Sequence, residues 1–342
     1  MNINKSNYIV GLLISQLLYG CASQPKNSDF NEALYSGKPI DTLTSEAMPL
    51  NEKEAIMRGD LALQNNNVDL ALYEYIRSLT FPQTQFKDKT LYNIGQIHNS
   101  KGNQELAERA YLLALDDNAN NIKVLEQLGI IYMKSGSVES GSTYFYRALN
   151  ADQVRLNSGK SISANQELTV EEVSALSIDN YSPAKAYMGI GILADIKKHH
   201  KLAQAFYNKV LQIEPKSVDA LLNTGYSYYM AGDYKTAQRF TVLALEKEPD
   251  NEKAQNNLAL IYLAKGEETR AVNVFMRHMD AAEALNNVGY FLILQGESEK
   301  AIPYLQQAIN KKASYYAIAN QNLERALAEV RAKTDNKPTE SQ

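Results

Sequence analysis

Three stretches decide how this chain folds: Asn223-Thr-Gly-Tyr-Ser-Tyr228, Asn257-Leu-Ala-Leu-Ile-Tyr262 and Asn287-Val-Gly-Tyr-Phe-Leu292. The first two lie 34 residues apart and the last two 30. Each runs into a glycine turn, Gly232-Asp233, Gly266-Glu267 or Gly296-Glu297, and then a small residue, Ala237, Ala271 or Ala301. Four positions further stands Thr241, Phe275 or Leu305, and Pro215 and Pro249 close their units at the same 34-residue spacing. Apolar residues recur at helical spacing on both sides of each glycine. The glycine supplies the backbone conformation that ends a helix. A small residue eight positions into the first helix (Gly225, Ala259, Gly289) lets the second helix approach closely. Each unit therefore reads as two antiparallel helices, repeated at a fixed period.

The same register extends backwards through Gly59/Ala71/Tyr75, Gly95/Ala107/Tyr111, Gly129/Tyr132/Gly141/Phe145 and Gly191/Ala203/Tyr207. Seven repeats are expected near 52–85, 88–121, 122–155, 184–217, 218–251, 252–281 and 282–315. The first departs most, because its first helix carries Arg58 and Asp60. The small residue, Tyr, Ala and Pro at these offsets resemble the tetratricopeptide repeat family. That resemblance implies an all-α, right-handed solenoid of about seven helix-turn-helix repeats. Residues 156–183 fall outside the pattern: Ser/Asn-rich, then acidic at Glu171 and Glu172, ending at Pro183. They read as an insertion with room for one short helix, splitting the array into repeats 52–155 and 184–315. The Ala-, Leu- and Glu-rich run over 316–332 reads as the capping helix that terminal repeats need. The polar tail 333–342 is expected to be disordered.

In tetratricopeptide folds, positions 2, 5, 6, 9, 12 and 13 of the first helix line the concave groove. The resemblance puts Leu222, Asn223, Tyr226, Tyr229 and Met230 there from repeat five. Repeat six adds Asn256, Asn257, Leu260 and Leu263, and repeat seven Asn286, Asn287, Tyr290 and Ile293. This is an apolar, aromatic groove with amides at its base, suited to a helix or an extended peptide. The earlier repeats are more polar on this face (Lys89, Gln96, Asn99; Lys123, Glu126, Lys134), so the partner site is expected in the C-terminal half. Asparagine recurs at position 6 (Asn93, Asn223, Asn257, Asn287). Such a row of amides either serves the backbone of a bound peptide or braces each repeat. Tyr132, Tyr228 and Tyr262, at position 11, are expected between helices.

The N-terminus reads differently. Lys5 and the amino terminus precede the apolar run Tyr8-Ile-Val-Gly-Leu-Leu-Ile-Ser-Gln-Leu-Leu18, and the sole cysteine, Cys21, follows. About eleven apolar residues are too few to span a bilayer, which takes about 20. The layout is that of a secretion signal over 1–20. Leu18-Tyr19-Gly20-Cys21 resembles the lipobox of bacterial lipoproteins, with Tyr19 departing from the usual small or aliphatic residue. The resemblance implies lipidation of Cys21, since several acyl chains on one residue anchor firmly where a single chain does not. Ala22, rather than aspartate, after the cysteine implies outer-membrane sorting and a periplasmic location. Residues 21–51 are polar and expected to be a flexible tether.

The 342 residues are 44% hydrophobic with a formal net charge of −4 and no tryptophan. That length supports one or two domains with a real core, and the charge gives no reason to expect nucleic acid. One cysteine excludes an internal disulfide framework and a cysteine zinc site. His199 and His200 are adjacent and face different directions on a helix, and His98 and His278 stand alone, so all four are expected at the surface and no metal is expected. The turn Lys197-Lys198-His199-His200-Lys201 is a small basic cluster, read as solvated. There is no phosphate loop, nucleophile elbow or His-Glu-x-x-His. Neither catalysis nor a cofactor is expected.

Three local features resemble the TadD-like lipoproteins of Tad (Flp, tight-adherence) pilus systems. They are the shortened sixth repeat with Asn256-Asn257-Leu258-Ala259-Leu260, the following Ala284-Leu285-Asn286-Asn287-Val288-Gly289-Tyr290, and Ser314-Tyr315-Tyr316-Ala317 running into Asn320-Gln321-Asn322-Leu323. The likeness covers about the last 160 residues, and the rest by architecture. It implies a non-enzymatic assembly factor whose groove holds a protein partner, the pilus secretin or another Tad component. The same architecture is open to a pilotin of type IV pilus or type II secretion secretins. It is equally open to a scaffold docking periplasmic proteases or peptidoglycan hydrolases. A homo-oligomer is open too.

Overall fold

The computed structural model describes residues 34–39, 42–163 and 167–335. Cys21 and the expected signal over 1–20 lie outside the described residues. The chain divides into two compact units, residues 1–85 and 86–342. Among the described residues there is no strand.

Among the described residues, the first unit holds one helical hairpin, α1 (Glu52–Gln64) and α2 (Val68–Ser78). Asn51 caps α1 by accepting from the Glu54 N–H at 3.0 Å, as a short polar side chain does at a helix start. The charges that set this repeat apart are used locally. Arg58 pairs with Glu54 at 2.7 Å and donates to the Ala47 carbonyl at 2.7 Å, and Tyr75 donates to Asp60 at 2.5 Å. Residues 42–50 belong to the stretch expected as a tether, yet they lie along this hairpin. Pro49 is buried, Met48 sulfur accepts from Arg77, and the Leu50 N–H donates to Glu54 at 2.7 Å. Leu34 is also fully buried, and Tyr35 meets Tyr73 edge-on at 6.4 Å. Two arginines reaching out of the hairpin give this polar run partners that its composition does not advertise.

Among the described residues, the second unit holds six further hairpins. They are α3 (Lys87–Ser100) with α4 (Gln104–Asp117), α5 (Ile122–Lys134) with α6 (Val138–Arg155), and α8 (Ala184–Ile196) with α9 (His200–Ile213). Then come α10 (Val218–Met230) with α11 (Tyr234–Lys247), α12 (Glu252–Ala264) with α13 (Glu268–Phe275), and α14 (Ala281–Leu294) with α15 (Ser298–Lys311). Between the third and fourth hairpins sits the short helix α7 (Val170–Ala175), and α16 (Ala317–Asp335) closes the array. The fold is the all-α tetratricopeptide solenoid expected from the repeat.

Every hairpin turns the same way. At the fifth, the Asp233 N–H reaches back to the Tyr228 carbonyl at 3.0 Å and the Gly232 N–H to Tyr229 at 3.0 Å. This double closure satisfies carbonyls that the helix end would leave unpaired, and it needs a left-handed residue. Gly232 supplies it with φ 84°. Across the hairpins, the small residue at position 8 lies under the side chain at position 24, which is bulky in all but the fifth, where it is Thr241. A Cβ on Gly59 would stand 2.7 Å from the Tyr75 ring, so the ring fills the space the missing side chain leaves. The fully buried Tyr75, Tyr111, Phe206, Tyr207 and Phe275 are among the largest core side chains, and each aromatic side chain contributes a large buried area.

Residues 156–183 are sewn onto neighbouring second helices. The Gln153 amide donates to the Ser177 carbonyl at 2.9 Å and accepts the Ser177 N–H at 3.1 Å. Arg155 grips Asp179 with both terminal nitrogens, at 2.8 and 2.7 Å. The Lys209 amine, buried on α9, donates to the Ser174 and Leu176 carbonyls at 2.9 and 2.7 Å, closing the end of α7. Val173 and Leu176 are buried beneath it.

Pro183 precedes α8 and its side chain makes no cap. Glu126 of α5 supplies the acceptor instead, taking the Lys185 and Ala186 N–H groups at 3.0 and 3.1 Å. At the far end, α16 packs on α14 and α15. Ala319 and Ala326 are fully buried, Ser298 donates to Glu329 at 2.5 Å, and Lys333 donates to the Gly296 carbonyl at 2.7 Å. The helix continues to Asp335, three residues past the expected 332.

Candidate functional site

The first helices of hairpins four, five and seven carry exposed apolar side chains at register positions 9 and 13. They are Ile192 and Ile196 on α8, Tyr226 and Met230 on α10, and Tyr290 and Leu294 on α14. Positions four apart lie on one face of a helix, so each helix contributes a matched pair. Tyr226, Met230 and Tyr290 are 43%, 47% and 37% exposed, values at which a large apolar side chain retains much surface for a partner.

At the base of this face, Leu222, Asn223, Tyr226, Asn256 and Asn257, with Asp219 and Lys253, line a cavity of about 260 Å³. Five residues expected together are thus brought together. A second, more apolar cavity of about 550 Å³ lies beside it, where Ile130 and Met133 of α5 meet Met188 and Ile192 of α8. Sequence reasoning missed these. The signal was available, since Met188, Ile192 and Ile196 occupy positions 5, 9 and 13 of repeat four, and the polar character of repeats two and three does not extend to it.

Other expected residues stand differently. Leu222 is buried to 5% and packs with Leu221, Ala244 and Ala254, so it offers the cavity an edge rather than a side chain. Asn286 is also buried, and its oxygen accepts from Asn322 of the capping helix at 3.0 Å. It fastens α16 to α14 instead of facing a groove. Tyr229 is half-buried between Tyr226 and Tyr234, with ring centres 6.1 and 5.8 Å away. Its hydroxyl accepts from Gln295 at 3.3 Å, and burial raises its pKa. That bond joins α10 to the C-cap of α14 across a 66-residue interval. Leu260 and Asn287 are partly exposed.

The position-6 asparagines divide. Asn223 lies against the Met188 sulfur at 3.1 Å and Asn287 against the Met279 sulfur at 3.3 Å. Sulfur is a weak acceptor, so these amides brace the stack only lightly. Asn93 and Asn257 have no partner among the described residues.

The histidines correct one expectation. His98 is fully buried in α3 rather than at the surface. His200 is held by Asp195 at 2.8 Å, and Asp195 also accepts from Tyr207 at 3.0 Å and Ser227 at 2.8 Å. Ser227 thus donates to the carboxylate and not to the imidazole, and the network ties hairpin four to hairpin five. Among the described residues, no helix is long and apolar enough to cross a membrane.

Tetratricopeptide repeat family models match residues 206–239 and, separately, 88–121, 184–217 and 282–315. The chain is similar to the TPR repeat-containing protein MJ1428 of Methanocaldococcus jannaschii, at 25% identity over 56% of this chain and 30% of that one. It is similar to the photosystem I assembly protein Ycf3 of Synechococcus sp. (strain CC9311), at 33% identity over 34% of this chain and 76% of that one. To Ycf3 of Prochlorococcus marinus (strain MIT 9303) it is 35% identical, over 28% and 58%. The chain therefore spans less than two thirds of MJ1428 and of the Prochlorococcus protein. A solved tetratricopeptide repeat protein of Parabacteroides merdae ATCC 43184 aligns with TM-score 0.49 and 18% identity, over 81% of this chain and 98% of that one.

Proposed function

The chain belongs to the tetratricopeptide repeat family, and on that premise we propose that it is a non-enzymatic, lipid-anchored assembly factor of a Tad/Flp pilus. Proteins of this family mediate protein–protein interaction. In the proposal, acylated Cys21 holds the repeats on the periplasmic side of the outer membrane. The concave face of repeats four to seven takes a segment of the pilus secretin and supports its localisation or multimerisation. Tethering a weak binder beside its partner raises their effective concentration, so a modest groove suffices.

The observation that carries the reading is the line of exposed Tyr226, Met230, Tyr290 and Leu294 at one register on α10 and α14. A helix face with this much apolar surface suits a partner that removes it from water, at roughly 25 cal/mol per Å². The resemblance around Asn256–Tyr290 and Ser314–Leu323 supports the pilus assignment, and the lipobox-like Leu18–Cys21 supports the anchor. Ycf3, which is an assembly protein by name, is a relative of the same working class.

The test is deletion of the gene followed by an assay for secretin multimers in the outer membrane. The proposal expects their loss, with return on complementation. It expects Cys21→Ala to move the protein into the soluble periplasmic fraction and to complement poorly. Normal multimers in the deletion strain would overturn the pilus assignment, and unchanged membrane association of Cys21→Ala would overturn the anchor.

A further inference from the structure

Position 10 of the first helix is a buried position in the array. Ile131, Leu193, Ser227 and Ile261 hold it in repeats three to six, and all four are buried. In repeat five it reaches the repeat before it, through the Ser227 hydroxyl that donates to Asp195 at 2.8 Å. Leu61 holds the same position in the first repeat and is 57% exposed. Met57, four residues earlier and so on the same face of α1, is 63% exposed. The run 42–50 lies along this hairpin and adds to the apolar surface instead of covering it. Leu50, fixed by its N–H to Glu54 at 2.7 Å, is 87% exposed, and Met48 is 70% exposed.

The carboxylates around these side chains are engaged. Arg58 pairs with Glu54 at 2.7 Å and with Glu46 at 3.4 Å, and Asp60 accepts from Tyr75. The four exposed side chains are leucines and methionines, with no aromatic ring among them. Protein interfaces draw most of their energy from Trp, Tyr and Arg, and leucine is under-represented among such residues. The face with Tyr226 and Tyr290 has that protein-binding character, and this one does not. A patch of aliphatic side chains with neutralised acids suits the boundary between lipid headgroups and acyl chains, where an apolar helix face sinks about 5–10 Å.

We propose that the first hairpin docks on the lipid surface, with Met48, Leu50, Met57 and Leu61 seated in the headgroup–acyl boundary. The proposal rests on the anchor at Cys21 and adds a second contact with the same membrane. Chain length points to that occupant. Leu34 is fully buried and Tyr35 meets Tyr73 of α2, so the chain is already fastened to this hairpin 13 residues after Cys21. Thirteen residues reach at most about 45 Å. The first hairpin is therefore the repeat joined to the anchor by the shortest chain. Tethering raises its effective concentration at the bilayer, so a face too small to hold a free protein on lipid suffices. Docking replaces a swinging tether by a fixed stance of the hairpin.

The test is site-directed quenching on the acylated full chain. It is reconstituted in phosphatidylethanolamine–phosphatidylglycerol vesicles that carry a nitroxide high on the acyl chain. Acylation consumes the thiol of Cys21, the sole cysteine, so an introduced cysteine is the single site for an environment-sensitive dye. Dyes on Leu61→Cys and on Met57→Cys are expected to shift to the blue and to be quenched about twofold or more, as a probe roughly 5–10 Å into the boundary is. Dyes on Tyr226→Cys and Arg239→Cys are expected to stay unquenched. Leu50→Ser with Met57→Ser is expected to abolish the quenching at Leu61→Cys, with unchanged helicity because both side chains are exposed, while the chain still floats with the vesicles. Flotation and dye stoichiometry report the anchor separately, since an unacylated chain takes a second dye at Cys21. Should the chain prove unacylated, Leu61→Cys with Cys21→Ala is titrated with the same vesicles; quenching keeps the docking face, and none overturns it. In the acylated chain, floating without quenching at Leu61 and Met57, or equal quenching at Tyr226 or Arg239, overturns the proposal. So does a blue shift without lipid, which assigns the face to a second copy if it grows with protein concentration and to residues 22–33 if it does not.

Discussion

Lys198 holds a φ of 64° at the turn of the fourth hairpin, where five other hairpins place glycine. A left-handed lysine costs about 1–2 kcal/mol in backbone sterics, and glycine offsets part of that gain through its unfolded-state freedom. Lys198→Gly is therefore expected to raise the urea midpoint, by roughly 0.5–1 kcal/mol in stability. Asn66, left-handed at the first hairpin with φ 57°, is expected to gain less on the same change, because asparagine tolerates this region. A second residue-scale prediction concerns Glu126. Burial pushes its carboxyl up to about 7, against the downward pull of the two N–H groups it caps and of Lys185, with Glu214 adding to the rise. A raised folded pKa means that the linked stability is full below the ordinary value near 4.5 and is lost as pH rises through 7. Between pH 5 and 8 the loss amounts to a few kcal/mol. Glu126→Gln keeps an acceptor oxygen and removes the titration. Its urea midpoint is expected to stay flat over that range where the wild type falls, and parallel slopes would contradict the assignment. The turn glycines and the position 8 and 24 pairs were legible in the sequence, since each is a local rule repeated at a fixed interval. Glu126 was not, because the N–H groups it caps lie 59 and 60 residues further along the chain.

At the scale of elements, the insertion behaves as part of the array. α7 carries its own capping box, Thr169 with Glu172, yet six residues are too short to persist alone. Its position depends on the Lys209 amine, whose pKa burial lowers. Lys209→Met keeps the packing and orphans two carbonyls, a loss on the order of 1–3 kcal/mol. Amide exchange over 170–176 is expected to accelerate while α10 to α15 stay protected, and unchanged exchange would mean that Val173 and Leu176 alone hold the helix. The sequence pointed to an insertion with room for a short helix, and α7 is there. What holds it was illegible, because Gln153, Arg155 and Lys209 look like ordinary surface residues on a helical wheel until their partners arrive from 24 to 35 residues away. Asn286 was misread for a related reason. Its repeat register points to the groove, but the seventh repeat has no eighth behind it. The capping helix takes that place and uses the amide through Asn322.

At the scale of the whole molecule, the repeats offer surface and little chemistry. The face carried by repeats four, five and seven is apolar and aromatic. The C-terminal half of the groove was legible because the register of a tetratricopeptide array assigns faces by position alone. Its extension into repeat four was overlooked because the polar lysines of repeats two and three suggested that apolar character begins only at repeat five. The central claim is that the apolar line on the first helices receives the pilus secretin. Its most direct test is a photocrosslinking amino acid placed in cells at Tyr226 or Tyr290, with Arg239 on the second helix α11 as the comparison. The account predicts a crosslink to the secretin from Tyr226 and Tyr290 and none from Arg239. A secretin crosslink from Arg239 with none from the two tyrosines would contradict it.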